Sequence, residues 1–364
     1  MGYSTLFGST EAVGNVSVVG RAAVVAALIH MLAAAAVAAT LQVPTDQLTI
    51  QQAIDAATDG DLILVAPGTY FEHINYYGKA ISIKSLNGAT QTIIDGSNAG
   101  SVVTFQAGEG TQSVLSGFTL QHGSAACGGG ITLVGASPTI TNNIFRENTH
   151  GLGGFGAAIA GNDSSSVIEN NKFLSNTCDT QFMSGVVSFV NNSSPLIINN
   201  IFQKNPCRAI NMTLPEGNAP VIANNTIVQN SVGVRVDARV PMSTVLCVNN
   251  ILVGNTIGLQ VDFLVPGNEP TWMNNLLYND SVYYAGIADQ TGLNGNIAAN
   301  PMFVSKHNFQ LQAGSPAIDA GNLSVPNLPA TDYAGNPRVV DGDGNGLALP
   351  DIGAFEFIPR ARSR

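Results

Sequence analysis

Charge is scarce in this chain of 364 residues: 10% of its positions are charged, and its 14 Lys and Arg are scattered rather than clustered. A nucleic-acid partner requires a basic stripe, which a formal net charge of −10 without clusters does not supply. Nucleic-acid binding is therefore set aside. Also missing, from the segments that recur along the chain, is the apolar spacing of 3.6 residues that marks amphipathic helices. Common catalytic signatures are absent too. The histidines His30, His73, His122, His150 and His307 show no His-x-x-x-His spacing. Ser-His-Asp chemistry has no Gly-x-Ser-x-Gly elbow to start from. What the chain has instead is 45% hydrophobic residues and 39 glycines, with much Asn, Ser and Thr. That mixture suits an all-β protein with many turns, because Asn and Gly tolerate positive φ.

One phrase recurs. Asn-Asn begins at Asn142, Asn170, Asn199, Asn224, Asn249 and Asn274, at intervals of 28, 29, 25, 25 and 25 residues. A self-similar period of this size marks a solenoid or an array. Three residues before each second Asn stand Ile140, Ile168, Ile197, Ile222, Cys247 and Trp272. Two residues after it stand Phe145, Phe173, Phe202, Ile227, Leu252 and Leu277. In a parallel β-solenoid equivalent residues of successive coils stack into ladders, so these two columns fill the interior. An inward Asn at a tight bend can hydrogen-bond the backbone and the Asn above and below, which satisfies a buried amide. Asn143, Asn171, Asn200, Asn225, Asn250 and Asn275, or their preceding partners, are expected to form one inward, structural ladder.

This pattern resembles the right-handed parallel β-helix repeats of the pectate-lyase-like superfamily over most of the chain. "LTIQQAIDAATDGDLILVAPGTYFEHI" (Leu48 to Ile74) is similar to the leading segment of those proteins, where a short helix plugs the first coil. Ile50, Ile54 and Ala57 give the helix face, Gly60 ends it, and "DLILV" reads as the first strand. After Asn300, "NFQLQAGSPAIDAGN" and "ATDYAGNPRVVDGDGNGLALPDIGAFEF" resemble the distal segment of secreted bacterial β-helix proteins termed choice-of-anchor Q. The chain closes on "IPRARSR" without an apolar tail, so release rather than anchoring is expected. The expected fold is all-β, a single right-handed parallel β-helix with a helical plug and a C-terminal cap. Residues 1–40 read as a signal peptide, 41–300 as the β-helix and 301–364 as the cap.

The address comes from Arg21 onward: "RAAVVAALIHMLAAAAVAAT" is a basic residue, an apolar run and Ala-x-Ala sites. That is the order of a secretory signal, and cleavage is favoured over a membrane anchor because no stop-transfer charges follow. The twenty residues before Arg21 are unusual for a signal and point to a later true start. A secreted or cell-surface location, reaching a membrane only through an uncleaved signal segment, permits disulfides. Cys247 falls in the inward column and reads as a buried thiol. Cys127, Cys178 and Cys207 fall on turns, and Cys178 could bridge either of the other two.

A third strand recurs eleven to fifteen residues before the later Asn pairs, and the resemblance implies that its outward side lines a glycan groove. Its outward columns are Thr132, Ala160, Ser188, Asn211, Arg235 and Gln260, then Val134, Asn162, Val190, Thr213, Asp237 and Asp262. Polysaccharide lyases need a base beside a uronate carboxylate and a cation to neutralise it. Arg235, Asp237 and Asp262 are the candidates for that chemistry, with Arg208, Asn211, Arg239 and Gln260 as candidate substrate contacts. An exposed ion pair is the plainer account of the same residues. The polygalacturonase series of Asn-Thr-Asp, Asp-Asp and Gly-His-Gly is absent; Gln121-His122-Gly123 is too little. "DGDGNG", with Asp341, Asp343, Asn345 and then Asp351, spaces oxygen ligands as Ca²⁺ loops do, although Ile352 stands where an EF-hand has Glu. Ca²⁺ there would stiffen the cap. The leading functional expectation is an exported monomer that binds an acidic polysaccharide, with lyase activity implied by the resemblance. Its rival is a non-catalytic adhesin or structural β-helix.

Overall fold

The computed structural model describes residues 38–178, 184–215, 217–238 and 245–359. The signal-like run up to Val37, the candidate contact Arg239 and residues 360–364 lie outside them. Among the described residues the chain winds through three parallel sheets of ten, ten and nine short strands. One coil shows the plan: Leu196–Ile198 in sheet 1, Ile201–Gln203 in sheet 2 and Arg208–Thr213 in sheet 3. Each strand pairs in register with its equivalent one coil on, so side chains stack directly.

Both expected apolar columns are present. Ile140, Ile168, Ile197, Ile222, Cys247 and Trp272 are consecutive partners in sheet 1. Phe145, Phe173, Phe202, Ile227, Leu252 and Leu277 are consecutive partners in sheet 2. Phe145, Phe173 and Phe202 stack face to face, with centroids 4.8 and 4.5 Å apart. Offset ring pairs of this kind add to the energy of burying their apolar area. Burial alone raises the Cys247 thiol pKa well above its ordinary value, as suits a cysteine serving as a small hydrophobe.

The corners explain the Asn pairs. The first Asn of every pair is left-handed, with φ between 50° and 58°, a conformation that Asn tolerates better than most residues. The second points inward. Each inward Asn Oδ1 accepts the backbone N–H of the previous rung, at 2.9–3.1 Å from Asn143 to Asn296. Its Nδ2 donates to the next Oδ1 and to a backbone carbonyl, as Asn225 does to Asn250 and to Ile197. Every polar atom of the buried amide is used. Five residues further on runs a second ladder that the sequence reading missed: Asn148, Asn176, Asn205, Asn230, Asn255 and finally Asp280. It turns the corner between sheets 2 and 3 in the same way.

The two ends depart from expectation in detail. A strand, Thr40–Val43, precedes the plug helix and pairs with Leu62–Val65, so "DLILV" forms the second strand. The plug helix α1, Ile50–Ala56, is clamped from the coil beyond it. Glu72 accepts the N–H groups of Ile50 and Gln51, and Lys79 Nζ donates to the carbonyls of Ile54, Asp55 and Ala57. The C-terminal segment, expected to cap the last coil, instead runs along the outside of several coils. Leu311, Ala317 and Ile352 pack on Ile251 and Leu276, Val325 packs on Ile198, Ala223 and Val248, and Phe309 and Ala354 pack on Ile201 and Val228.

Candidate functional site

The outward side of sheet 3 is assembled by the register. Asn211 pairs with Arg235 and Arg235 with Gln260; Thr213 pairs with Asp237 and Asp237 with Asp262. Strands in neighbouring coils stand about 4.8 Å apart, so two stacked carboxylates repel unless a cation lies between them. Arg235 is that cation. Its Nε donates to Asp262 Oδ2 at 2.9 Å, and its Nη2 lies 3.6 Å from Asp237 Oδ2. Nη1 reaches back one coil to Asn211 Oδ1 at 3.2 Å and Thr213 Oγ1 at 3.0 Å.

The environment is not the exposed sheet that an ordinary surface ion pair implies. Arg235 is 1% exposed and Asp237 4%. Asn211 and Ser188 beside them are fully buried. Half-buried Asp262 and Gln260 bring the cluster to the surface, where Gln260 Nε2 donates to Asp262 Oδ1 at 2.8 Å. Arg208 begins the strand that carries Asn211 and donates through Nη1 to Ser184 O at 3.2 Å. Burial, and then the charge of Arg235, lower its pKa, with Asp262 opposing. Arg235 is thus committed to four protein oxygens, two of them on the carboxylates that it holds in place.

The Asp/Gly loop also takes shape, with Asp319 joining Asp341 and Asp343 in place of Asn345 and Asp351. Asp341 Oδ1 and Oδ2 accept the N–H groups of Gly344 and Gly346, and Asp343 accepts from Asn345. Ligand oxygens of Asp341 and Asp343 come within 4.8 Å of one another and of Asp319. The carboxylate of Asp351 is spent elsewhere, accepting from the N–H groups of Asp319 and Phe357. Asn345 turns its Oδ1 to the N–H of Leu347. Three carboxylates in a row of turns are a donor set that suits Ca²⁺, a hard cation taking oxygen ligands. Asp319 was invisible to local spacing because it reaches the loop from 22 residues upstream of Asp341.

A further set of residues fixes the C-terminal segment. The outward Asn of four successive pairs reads its backbone: Asn199 donates to Thr331 O, Asn224 to Asp351 O, Asn249 to Asn322 O and Asn274 to Ala320 O. Arg338, 1% exposed, donates to Asn199 Oδ1, to Glu356 Oε1 at 2.8 Å and to the carbonyls of Gly353 and Ala354. The first Asn of the repeated pair therefore has its own task. Cys178 and Cys207 form a disulfide, and Cys127 and Cys247 are free.

Comparison with known proteins agrees with this architecture. No curated protein matches the chain. Among solved structures, pectate lyase Pel9A superposes with a TM-score of 0.54 at 17% identity, over 84% of this chain and 90% of that one. An alginate lyase from Paenibacillus sp. strain FPU-7 gives 0.40 at 12% identity, over 68% and 98%. At 17% identity the likeness to Pel9A is one of fold, and folds of this kind carry more than one function. A family model described as the right handed beta helix region matches residues 81–262, half of the sequence. With the in-register coils and corner ladders in view, the chain belongs to the right-handed β-helix family.

Proposed function

We propose that this is an exported protein that binds an acidic polysaccharide along the outward side of sheet 3. One observation carries the reading: Asn211, Arg235, Asp237, Gln260 and Asp262 gather polar and charged groups on one face over three coils, with Arg208 near enough for Arg235 and Asp262 to act on its charge. Much of the outward side of sheets 1 and 2 is by contrast taken by the C-terminal segment. The names of the pectate and alginate lyases sharing this fold supply the class of glycan to try first. In this reading Arg208 and Gln260 meet the sugar, while Arg235 holds Asp237 and Asp262 rigid beneath them. Preorganised polar groups recognise carboxylates and hydroxyls at low ordering cost. Binding, rather than lyase chemistry through Arg235, is the function that these contacts favour. Ca²⁺ at Asp319, Asp341 and Asp343 would stiffen the C-terminal segment. The N-terminal run and the choice-of-anchor Q-like distal segment support export.

The test is titration of polygalacturonate, alginate and neutral glycans into the intact protein. Saturable binding to an acidic glycan is expected, weakened at least tenfold in Arg208→Ala. Accumulation of unsaturated, ultraviolet-absorbing product would assign lyase activity as well. Failure to bind any glycan, acidic or neutral, would give the case to a structural role.

A further inference from the structure

The second Asn ladder ends on a carboxylate. Asp280 Oδ1 takes the place of the carboxamide oxygen and accepts both the backbone N–H and the Nδ2 of Asn255. Its other oxygen, Oδ2, is buried and has no hydrogen-bond partner, in a residue 8% exposed. An Asn in this position would place a neutral amide there. Gly258 makes the room: a Cβ on it would come within 2.9 Å of Oδ2. Asp280 opens on a cleft of about 430 Å³, lined by Ser281, Tyr283, Tyr284 and Asp289 as well. Leaving a buried carboxylate oxygen unpaired is costly, and among the described residues no Lys or Arg lines the cleft.

We propose that this cleft is a binding site for an organic ammonium ion, held by Asp280 and Asp289 against the tyrosine side chains. Two carboxylates, with no Lys or Arg beside them among the described residues, select positive charge. Tyr283 and Tyr284 both line the cleft, and an aromatic ring face attracts a cation. A hard metal ion wants six to eight oxygens, and each carboxylate here already spends one oxygen: Asp280 on Asn255 and Asp289 on the N–H of Thr291. An ammonium carried by carbon needs fewer ligands and gains from the rings. The amine could belong to a small molecule or to an amino sugar. None of the residues lining the cleft is a groove residue, so different variants test the two readings.

Choline is the first probe, because its charge does not vary with pH; its uncharged carbon isostere is the control. In calorimetric titration at pH 8, choline is expected to bind saturably and the isostere at least tenfold more weakly. Asp280→Asn continues the ladder, so the fold is kept, and it should weaken choline at least tenfold. Burial pushes the Asp280 carboxyl up to about 7, so the wild type should lose affinity between pH 8 and pH 5. Tyr284→Phe, which keeps the ring, should bind as the wild type does. Chitosan oligomers binding more tightly than choline would identify the source as an amino sugar, and weaker binding a small amine. Equal affinity in Asp280→Asn, an isostere as good as choline, or Asp280-dependent binding of Ca²⁺ without choline would overturn the proposal.

Discussion

At the scale of single residues, the two asparagines of a repeated pair do different work, and each has a separate test. Inward ladder asparagines satisfy four backbone or amide groups apiece. Asn225→Ala would strip the acceptor from Asn200 N and Nδ2 and the donor from Ile197 O and Asn250 Oδ1. All of these sites are buried, so a loss of about 2–4 kcal/mol is expected in urea unfolding. Outward Asn142 is exposed and its amide reaches only Thr141 Oγ1; its φ of 58° also suits glycine. Asn142→Gly should therefore stay within about 0.5 kcal/mol of the wild type. Carboxylates are used as sparingly. If Asp319, Asp341 and Asp343 hold Ca²⁺, binding to the folded state alone adds stability by mass action. The melting midpoint should then rise with Ca²⁺ over chelator in the wild type and not in Asp343→Ala; equal midpoints throughout would make the loop a set of turns.

Elements show where local reading succeeds and where it stops. The coils were legible because a β-solenoid copies its registers into the sequence: a constant offset from the Asn pair located both apolar columns and the sheet 3 columns. The second ladder was just as available, since Asn148, Asn176, Asn205, Asn230 and Asn255 stand five residues after the first, but its fixed offset went unused. Long-range docking left no periodic trace. Nothing near Arg338 in the sequence points to Asn199, 139 residues away, nor do residues near Asp341 point to Asp319. Burial of Arg235 was likewise hidden, because alternation along a strand says which way a side chain points and not what covers it. The C-terminal segment can be tested as an element. Arg338→Ala would leave Glu356, whose side chain is fully buried, with the Asp351 N–H but without its ion-pair partner, a loss of about 3–5 kcal/mol. Backbone amides around Val325, Ile352 and Ala354 should then exchange faster, while those of sheets 1 to 3 in the earlier coils keep their protection.

For the whole molecule these buried groups combine into one pH dependence. Burial pushes Asp280 up to about 7 and raises Glu169, Asp351 and Glu356 above their ordinary values. A carboxyl raised in the folded state holds a proton that the unfolded chain has released, so stability falls as pH rises from about 4 through the folded pKa. His122 acts in the same direction for a different reason. The hydrogen bond to Asp95, and then that to Glu147, raise it, so its contribution is complete below the unfolded value of about 6.5 and is lost as pH rises through the folded one. Asp95 opposes them: burial raises it, but hydrogen bonds from Gln121, Ser97 and His122 outweigh that and leave it lowered. Its contribution is lost only as pH falls below about 4. Maximum stability is thus expected near about pH 5, with a decline toward pH 8 in urea midpoints. Asp280 gives the internal control. Its shift from 3.8 to about 7 corresponds to a cost on the order of 4 kcal/mol above pH 7 as an upper bound. Asp280→Asn removes that titration and keeps the rung, so the variant should be more stable than the wild type at pH 8 and level with it near pH 4. A parallel pair of curves, offset equally at every pH, would show that Asp280 titrates in the folded state as it does in the unfolded chain.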